Sequence, residues 1–332
     1  DDPRMPTISG MRRLGYTADS IREFCRRVSI TKRWHTAEIE LLEHCLREDL
    51  NKKANRALAV LRPIKLVIEN YPEDQVEYLE AANSPQNSAS GTRKIPFSKE
   101  LYIEQDDFME NPPKKFFRLS VGREVRLRYG YLITCVEIIK DPTTGEVIEL
   151  RCTYDPETRG GNAPDGRKVK STIHWVSANH SIDAEVRLYE RLCLDPEPDI
   201  SDGKSLETVL NPNSLEIIRS AKVEPSLKES TPGNPIQFER LGYFCLDSED
   251  SDYDFIGAYL HKPEVGNTRF TVGVKSQVYP QFVLKNYSPK KPLIIVEGLP
   301  DVVTGSSWSF QTVSGTAGSG SVPKDPSWFE PW

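Results

Sequence analysis

The sequence lacks the features that define membrane proteins, zinc proteins and small disulfide-stabilised domains. None of its 332 residues belong to an apolar run approaching the ~20 residues that span a bilayer. The six cysteines are scattered, with no C-x-x-C pair and no histidine at zinc-finger spacing. We therefore expect no membrane span, no disulfide framework and no metal site, and we expect reduced thiols in a cytoplasmic protein.

The first residues are not expected to form a secretory signal peptide. The chain opens with Asp1-Asp2-Pro3, without a basic segment followed by an apolar one. We expect it to be a segment of a longer polypeptide.

The motifs of common catalytic centres are missing as well. The sequence has no glycine-rich phosphate loop, no H-E-x-x-H and no G-x-S-x-G. Its five histidines do not cluster, and His174 beside Trp175 is interpreted as a structural side chain. We expect no catalytic residue and no bound cofactor in this segment.

Periodicity predicts a helical start followed by many short strands. Thr17 and Thr36 are predicted to cap two helices within residues 1–55. Beyond residue 56, strands without interleaved helices favour β-barrels or sandwiches, so we predict a mainly β fold with an N-terminal helical subdomain. The strands are predicted at 64–68, 95–103, 125–135, 147–154, 169–176, 215–218 and 236–246.

Charge is unevenly distributed along the chain. The 43 basic and 49 acidic residues give a net charge of −6, which by itself does not indicate nucleic-acid binding. Residues 114–128, however, are strongly basic and include aromatic rings. The basic members are Lys114, Lys115, Arg118, Arg123, Arg126 and Arg128.

The strand pattern of this basic segment predicts a paired cationic face. Arg126 and Arg128 would share one face, opposite Val125, Leu127 and Tyr129. Paired guanidiniums beside aromatic rings suit phosphates and unstacked bases. The alternative is an exposed face balanced by neighbouring acids, and both interpretations stay open.

A second polar cluster lies at residues 237–240. Gln237 and Glu239 would share a strand face opposite Ile236 and Phe238, with Arg240 following. An amide, a carboxylate and a guanidinium together offer the donors and acceptors that a base edge requires. Polar strand faces are common, so this cluster is a weak signal alone.

Seven collinear stretches carry a family resemblance. They are DDPRMPTI (1–8), SIREFC (20–25), REDLN (47–51), REVRLR (123–128), DGRKVK (165–170), HWVS (174–177) and FERLGYF (238–244). Together they resemble the C-terminal half of bacterial-type glutaminyl-tRNA synthetase, a class I aminoacyl-tRNA synthetase. The resemblance runs from residue 1 to about residue 276.

The resemblance implies a domain layout with two β-barrels of the kind found in ribosomal 5S-rRNA-binding proteins and in this synthetase. A helical subdomain would follow an absent catalytic domain. The distal barrel would be inserted between the two pieces of a proximal barrel, and the tail would be a flexible, unassigned extension. The limits expected are 1–55 for the helices, 56–112 and 196–276 for the proximal barrel, 113–195 for the distal barrel and 277–332 for the tail.

The resemblance also implies a function. The parent enzyme is a ligase that attaches glutamine to tRNA(Gln) with ATP and Mg, and this segment would grip the anticodon without being catalytic alone. We expect tRNA(Gln) as partner, no DNA and no membrane, and a monomer in the cytoplasm. The residues expected to bind RNA are Asn51, Arg56, Lys115, Arg118, Arg126, Arg128, Gln237, Glu239 and Arg240.

Within this set, the resemblance assigns bases. Arg56 and Gln237 would lie near the central uracil, and Arg118 and Arg240 near the third-letter guanine or its phosphate. Arg126 and Arg128 would lie near the first-letter base. Phe117 stands where some members of the family have lysine, so one contact there is absent or replaced by stacking.

Two other functions are compatible with parts of the sequence. One is the anticodon-binding part of a related glutamyl-tRNA synthetase, which the 237–240 block with Arg56 disfavours. The other is a free-standing β-barrel RNA-binding module, which the helical start disfavours. The tail is expected to be either a poorly ordered extension or an element that docks through Trp308, Trp328 and Trp332.

Overall fold

The structure is a computed structural model in which strands predominate. It describes residues 2–29, 37–161, 163–194 and 209–247, and the backbone of five short strands between 254 and 315. The predicted mainly β fold with N-terminal helices is confirmed. In the described part of the chain, no helix is long and apolar enough to cross a membrane. The six cysteines, all within the described residues, form no disulfide, and four of them are buried.

Three helices open the chain: α1 (Ile8–Arg13), α2 (Ala18–Val28) and α3 (Ile39–Lys53). Thr17 caps α2 as predicted, because its side chain accepts a hydrogen bond from the Ser20 amide. The second predicted cap is wrong: α3 begins at Ile39 with Glu38 as N-cap. Thr36 itself lies outside the described residues.

The strands are short and numerous. In chain order they are β1 (Ala37–Glu38), β2 (Asn55–Ala57), β3 (Ala59–Val60), β4 (Pro63–Ile68), β5 (Glu77–Ala82), β6 (Thr92–Phe97), β7 (Glu100–Glu104), β8 (Glu124–Leu127), β9 (Leu132–Lys140), β10 (Val147–Asp155), β11 (Thr172–Ile173), β12 (Trp175–Ser177), β13 (Ile182–Tyr189), β14 (Leu215–Val223), β15 (Pro235–Phe238), β16 (Gly242–Leu246), β17 (Asp254–Ala258), β18 (Arg269–Phe270), β19 (Val278–Tyr279), β20 (Leu293–Glu297) and β21 (Gln311–Gly315). Short 3₁₀ turns cover Ser88–Ser90, Gln105–Asp107, Pro156–Thr158 and Pro225–Glu229.

One seven-stranded sheet, the first barrel, has the order β11-β8-β9-β10-β4-β7-β12. Its two edge strands, β11 and β12, are consecutive in the chain and separated only by His174, so the sheet nearly closes on itself. On β4, every second side chain points into the core of this barrel, namely Ile64, Leu66 and Ile68. The β5–β6 hairpin adds Phe97, which packs edge-to-face on Trp175 with ring centroids 5.0 Å apart.

A second seven-stranded sheet, the second barrel, has the order β2-β15-β16-β17-β13-β14-β3. Here the edge strands are β2 and β3, separated only by the buried Leu58. Phe238 and Phe244 stack in its core with ring centroids 4.4 Å apart. The helices pack on this barrel, where Tyr243 lies against Leu46 and Leu50 of α3.

In the sequence, the first barrel is inserted between two parts of the second barrel. The chain forms β2 and β3 of the second barrel, builds the first barrel from 63 to 177, and returns at β13. This differs from the predicted limits at two places: β4 and β7 pair in the first barrel, and β13 pairs in the second. The apolar face of β4 is buried in the core of the first barrel, because β4 lies between β7 and β10 and pairs with both. The outer domain limits stay a prediction.

Four predicted strands are each divided in the structure. The segments 95–103, 125–135, 169–176 and 236–246 each form two strands joined by a short connection. Tyr129 and Arg240 lie in two of these connections with positive φ, at 63° and 70°. The tail prediction, with Trp308, Trp328 and Trp332, concerns side chains outside the described residues.

The aromatic core generates a stability prediction. Phe97 is fully buried and contacts Tyr71 and Tyr131 as well as Trp175. We expect Phe97→Ala to lower the free energy of unfolding by about 3–5 kcal/mol, because it removes buried apolar area and leaves a cavity. Urea unfolding measures this loss, with the exposed Phe117→Ala, expected to change it by less than about 0.5 kcal/mol, as control. Equal losses in the two variants would contradict the packing described here.

A half-buried carboxylate on α3 generates a pH prediction. Burial and, to a smaller extent, the neighbouring Glu40 carboxylate together raise the pKa of Glu43 to about 7. The folded chain therefore binds this proton more tightly than the unfolded chain, and stability falls as pH rises from the ordinary value of 4.5 through about 7.

We expect Glu43→Gln to remove this loss and to stabilise the chain by about 1–2 kcal/mol at pH 8, a value reduced for partial solvent exposure. The gain should vanish at pH 4. Thermal or urea unfolding across this pH range measures it, with the exposed Glu80→Gln as control. A pH-independent effect of Glu43→Gln would show that burial does not perturb this carboxyl group.

Candidate nucleic-acid interface

A cavity of about 400 Å³ lies where the β15–β16 hairpin of the second barrel faces the first barrel. We call it the hairpin cavity. It combines three guanidiniums with an amide, a carboxylate and a hydroxyl. Its lining residues are Arg56, Arg128, Thr172, Gln237, Glu239 and Arg240. Five of these six were predicted from the sequence, and the structure brings them together from segments far apart in the chain.

Two of the lining side chains have no partner among the described residues. Arg56 on β2 and Gln237 on β15 are directly opposed in a parallel strand pair. Their backbones are fixed, since the Arg56 amide also donates to the Asn83 carbonyl at 2.7 Å. Neither side chain makes a hydrogen bond or ion pair within the described part of the chain, so their donors and acceptor are available to a ligand.

Glu239 is held differently. It is 5% exposed and accepts hydrogen bonds from the Arg128 Nε at 2.8 Å and from the Tyr129 hydroxyl. Burial, then the hydrogen bond to Glu239, raises the pKa of Tyr129. Burial is the largest single influence on the pKa of Arg128 and lowers it, but the charges and hydrogen bonds of Glu239 and Tyr129 together outweigh burial, so the net shift is upward. Both carboxylate oxygens are thus bonded to protein groups, and Glu239 fixes Arg128 in the cavity.

The predicted separation of Arg128 from Tyr129 is wrong. The strand alternation ends at Leu127, and the positive φ of Tyr129 turns its ring beneath the Arg128 guanidinium, 4.8 Å from the ring centroid. Both side chains therefore contact the same carboxylate. The opposite face of the strand is as predicted, with Val125 and Leu127 fully buried.

Arg240 enters the cavity from the hairpin loop. Its guanidinium donates to both oxygens of the buried Asp107, at 2.6 and 2.8 Å, and lies 3.0 Å from the Nδ1 atom of His174. Arg118 reaches the same aspartate from another side, with its Nε 3.3 Å from the carboxylate. Arg240 and Arg118 thus share one buried anion.

A larger cavity of about 620 Å³ lies beside Arg118, and we call it the loop cavity. Aromatic rings and a methionine supply its apolar wall, while Lys115 and Arg118 supply positive charge. Its lining residues are Gln105, Asp106, Phe108, Met109, Lys115, Phe116, Phe117, Arg118 and Ser171. Phe117 is 49% exposed, and the Lys170 ammonium lies 5.2 Å from its ring centroid. Cations beside exposed rings suit a stacked nucleobase.

The two other predicted residues lie outside both cavities. Arg126 donates to the carbonyls of Gly130 and Thr158 at 3.3 and 3.2 Å, and burial lowers its pKa. Asn51 accepts a hydrogen bond from the Tyr243 hydroxyl at 2.6 Å, at the contact between α3 and the second barrel. Among the described residues, no group of three or more His, Cys, Asp or Glu side chains is placed to hold a metal.

Sequence reasoning missed Asp107, Tyr129 and Thr172. Asp107 follows another acid and looks like part of a solvated turn, yet it is 1% exposed. Its partner Arg240 is 133 residues away, so no local pattern reveals the pair. The available signal was the cluster of arginines in the basic segment 114–128. Arginines that are partly buried need anions as partners, so such a cluster implies buried acids.

Comparison with known proteins defines the class of the two barrels. Two family models match, both described as the anticodon-binding domain of class I tRNA synthetases for glutamate and glutamine, over residues 54–155 and 172–247. The matched segments contain every residue that lines the two cavities, except Ser171. The barrels are therefore anticodon-binding domains of class I synthetases.

Similar proteins narrow the class. The chain is 57% identical over 251 residues to a glutamine–tRNA ligase of Bradyrhizobium diazoefficiens, and 56% identical over 251 residues to one of Nitrobacter hamburgensis. It is 49% identical over 251 residues to one of Clostridium kluyveri. Each match covers 76% of this chain and 44–45% of the relative, so the chain spans somewhat less than half the length of these ligases.

The chain belongs to the bacterial-type glutaminyl-tRNA synthetase family and corresponds to its C-terminal, anticodon-binding part. The family predicted from the seven sequence stretches is thereby confirmed, as is the class of fold.

The different bonding of Glu239 and Gln237 generates a prediction. We expect Glu239→Ala to lower the free energy of unfolding by about 3–5 kcal/mol, because it leaves the half-buried Arg128 and Tyr129 without their anion. Gln237→Ala, two residues earlier, should cost less than about 0.5 kcal/mol, because its side chain has no partner to lose in the described chain. Urea unfolding of both variants measures the difference. Similar losses would show that Glu239 is not the structural anion of the cavity.

Proposed function

We propose that this chain recognises the anticodon loop of tRNA(Gln) as part of a glutamine–tRNA ligase. It would bind the loop between its two barrels, as a monomer in the cytoplasm. The proposal is supported by the class of the barrels and by the chemistry of the two cavities.

The observation that carries the proposal is the register of Arg56 and Gln237. They stand side by side on adjacent strands, partly exposed, with side chains that bond to no other described residue. An unpaired uracil presents two carbonyl acceptors and one N–H donor. A guanidinium and an amide together supply the matching donors and acceptor, so the pair can read the base rather than only neutralise a phosphate.

The remaining residues receive complementary roles in this proposal. Arg118 and Arg240, which share Asp107, would contact the third-letter guanine or its phosphate. Arg128, fixed by Glu239, and Arg126 would lie near the first-letter base. Lys115 and the rings of the loop cavity would hold a neighbouring nucleotide by charge and stacking.

Asn51 and Glu239 would act through other residues. Asn51 would support the α3 contact next to Arg56, and Glu239 would orient Arg128. This revises the direct contact with RNA that the sequence suggested for both.

In the proposal the whole ligase joins glutamine to tRNA(Gln) with ATP. Neither cavity of the described residues is lined by a glycine-rich loop of the kind that holds ATP phosphates. We therefore assign ATP and Mg to the part of the ligase outside this chain, and anticodon recognition to this chain.

Binding of tRNA transcripts tests the proposal. We expect the chain to prefer tRNA(Gln), and we expect Arg56→Ala and Gln237→Ala each to weaken binding by about 1–3 kcal/mol, or roughly 5- to 150-fold. Both variants should also lose discrimination against transcripts in which the central anticodon base is changed. Fluorescence anisotropy over a salt series separates base contacts from phosphate contacts, because only loss of a phosphate contact lowers the salt dependence.

Two surface substitutions serve as matched controls. Arg26 is exposed on α2, and Gln75 is exposed after β4; neither lines a cavity. Arg26→Ala and Gln75→Ala should leave affinity and discrimination unchanged. A wild-type chain that binds tRNA(Gln) no better than an unrelated tRNA would overturn the proposal.

A further inference from the structure

Among the residues that the structure describes, Asp107 is the one buried anion that contacts an arginine from each cavity. It lies in the 3₁₀ turn after β7 and is 1% exposed, whereas the Arg118 and Arg240 side chains are 38% and 30% exposed. The carboxylate is therefore inside the protein, while the two guanidiniums that it binds reach solvent.

We infer that Asp107 is a positioning residue that holds Arg118 and Arg240 side by side so that both present their free N–H groups to one nucleotide of the anticodon loop. The inference rests on the proposed function, since it assumes that the anticodon loop is the ligand.

The geometry of the cluster supports this role. Arg240 uses both terminal nitrogens on Asp107, which fixes the plane of its guanidinium. Arg118 places its Nε on the same carboxylate and donates one terminal nitrogen to the Asp106 carbonyl at 3.0 Å. The two guanidiniums carry like charge, and the Asp107 carboxylate that both contact offsets their repulsion.

The backbone of Arg240 supports the same conclusion. Its φ of 70° is unfavourable for a residue with a side chain, and such conformations persist where surrounding contacts enforce them. The bidentate bond to Asp107 and the contact with His174 at 3.0 Å are contacts of this kind. Arg240 therefore occupies a strained position that orients its side chain toward the first barrel.

The cluster also spans the two barrels. Asp107 and His174 belong to the first barrel, and Arg240 belongs to the hairpin of the second. The arrangement of the two arginines thus depends on how the barrels are placed relative to each other, because Asp107 of the first barrel binds Arg240 of the second.

Asp107→Asn tests the inference, because asparagine has nearly the same size but offers one acceptor and no charge. We expect it to weaken tRNA(Gln) binding at least fivefold and to reduce discrimination at the third anticodon letter, while discrimination at the central letter, assigned to Arg56 and Gln237, stays unchanged. A merely structural residue would not produce a loss confined to one letter.

Asp247→Asn is the matched control. Asp247 is also fully buried and also accepts a bidentate pair of hydrogen bonds from an arginine, Arg13, at 2.8 and 2.6 Å, but it lines neither cavity. At a temperature where thermal unfolding shows both variants folded, Asp247→Asn should bind tRNA(Gln) like wild type. If Asp107→Asn does not fold, Asp107→Glu, which keeps the charge but moves the carboxylate, takes its place with the same expectation.

The effect of Asp107→Asn in a variant that lacks both arginine side chains provides a second test. In a chain carrying Arg118→Ala and Arg240→Ala, Asp107→Asn should cause no further loss of affinity, because its effect runs through the two arginines. An equal loss in both backgrounds, or wild-type third-letter discrimination in folded Asp107→Asn, overturns the inference while the proposed function stands. Failure of the wild-type chain to bind tRNA(Gln) instead refutes the proposed function.

Discussion

Each barrel nearly closes at a single residue, and in the second barrel a buried acid satisfies the backbone amide at that residue. A one-residue connection between two edge strands leaves backbone groups without a strand partner, and buried groups of that kind are costly. At Leu58 the missing partner is Glu224, whose carboxylate accepts from the Leu58 amide at 2.8 Å. Where the chain crosses between barrels, Glu104 accepts from the amides of Leu61 and Arg62. Carboxylates here replace strand partners.

The same placement of acids organises the positive side of the molecule. Asp107 and Glu239 lie near these closures and bind cationic side chains from the opposite barrel. The net charge of −6 therefore includes acids that are buried away from solvent. It also includes arginines that bond to these acids and remain partly exposed. Negative charge in the interior and positive charge at the cavities explain how an acidic chain can offer a surface suited to RNA.

Local patterns predicted much of the fold but not the turns that build the site. The Thr17 cap and the β4 alternation follow from rules that act over a few residues. Tyr129 and Arg240 interrupt predicted strands because each adopts a positive φ without the glycine or asparagine that signals such a turn. Distant contacts, such as Glu239 with Arg128, 111 residues away, hold these conformations. Charge and strand patterns indicated most of the candidate binding residues and the family resemblance added Asn51 and Arg56, whereas their bonding partners required the fold.

The pairing of β2 with β15 has a consequence for the fidelity of the site. Gln237 faces the cavity only while Ile236 and Phe238 face the core, where both are buried. A slip of one residue along β2 would turn the phenylalanine toward solvent and the amide inward, which makes the misaligned state expensive. Burial of Phe238, a side chain that lines neither cavity, thus keeps the Gln237 amide facing the hairpin cavity.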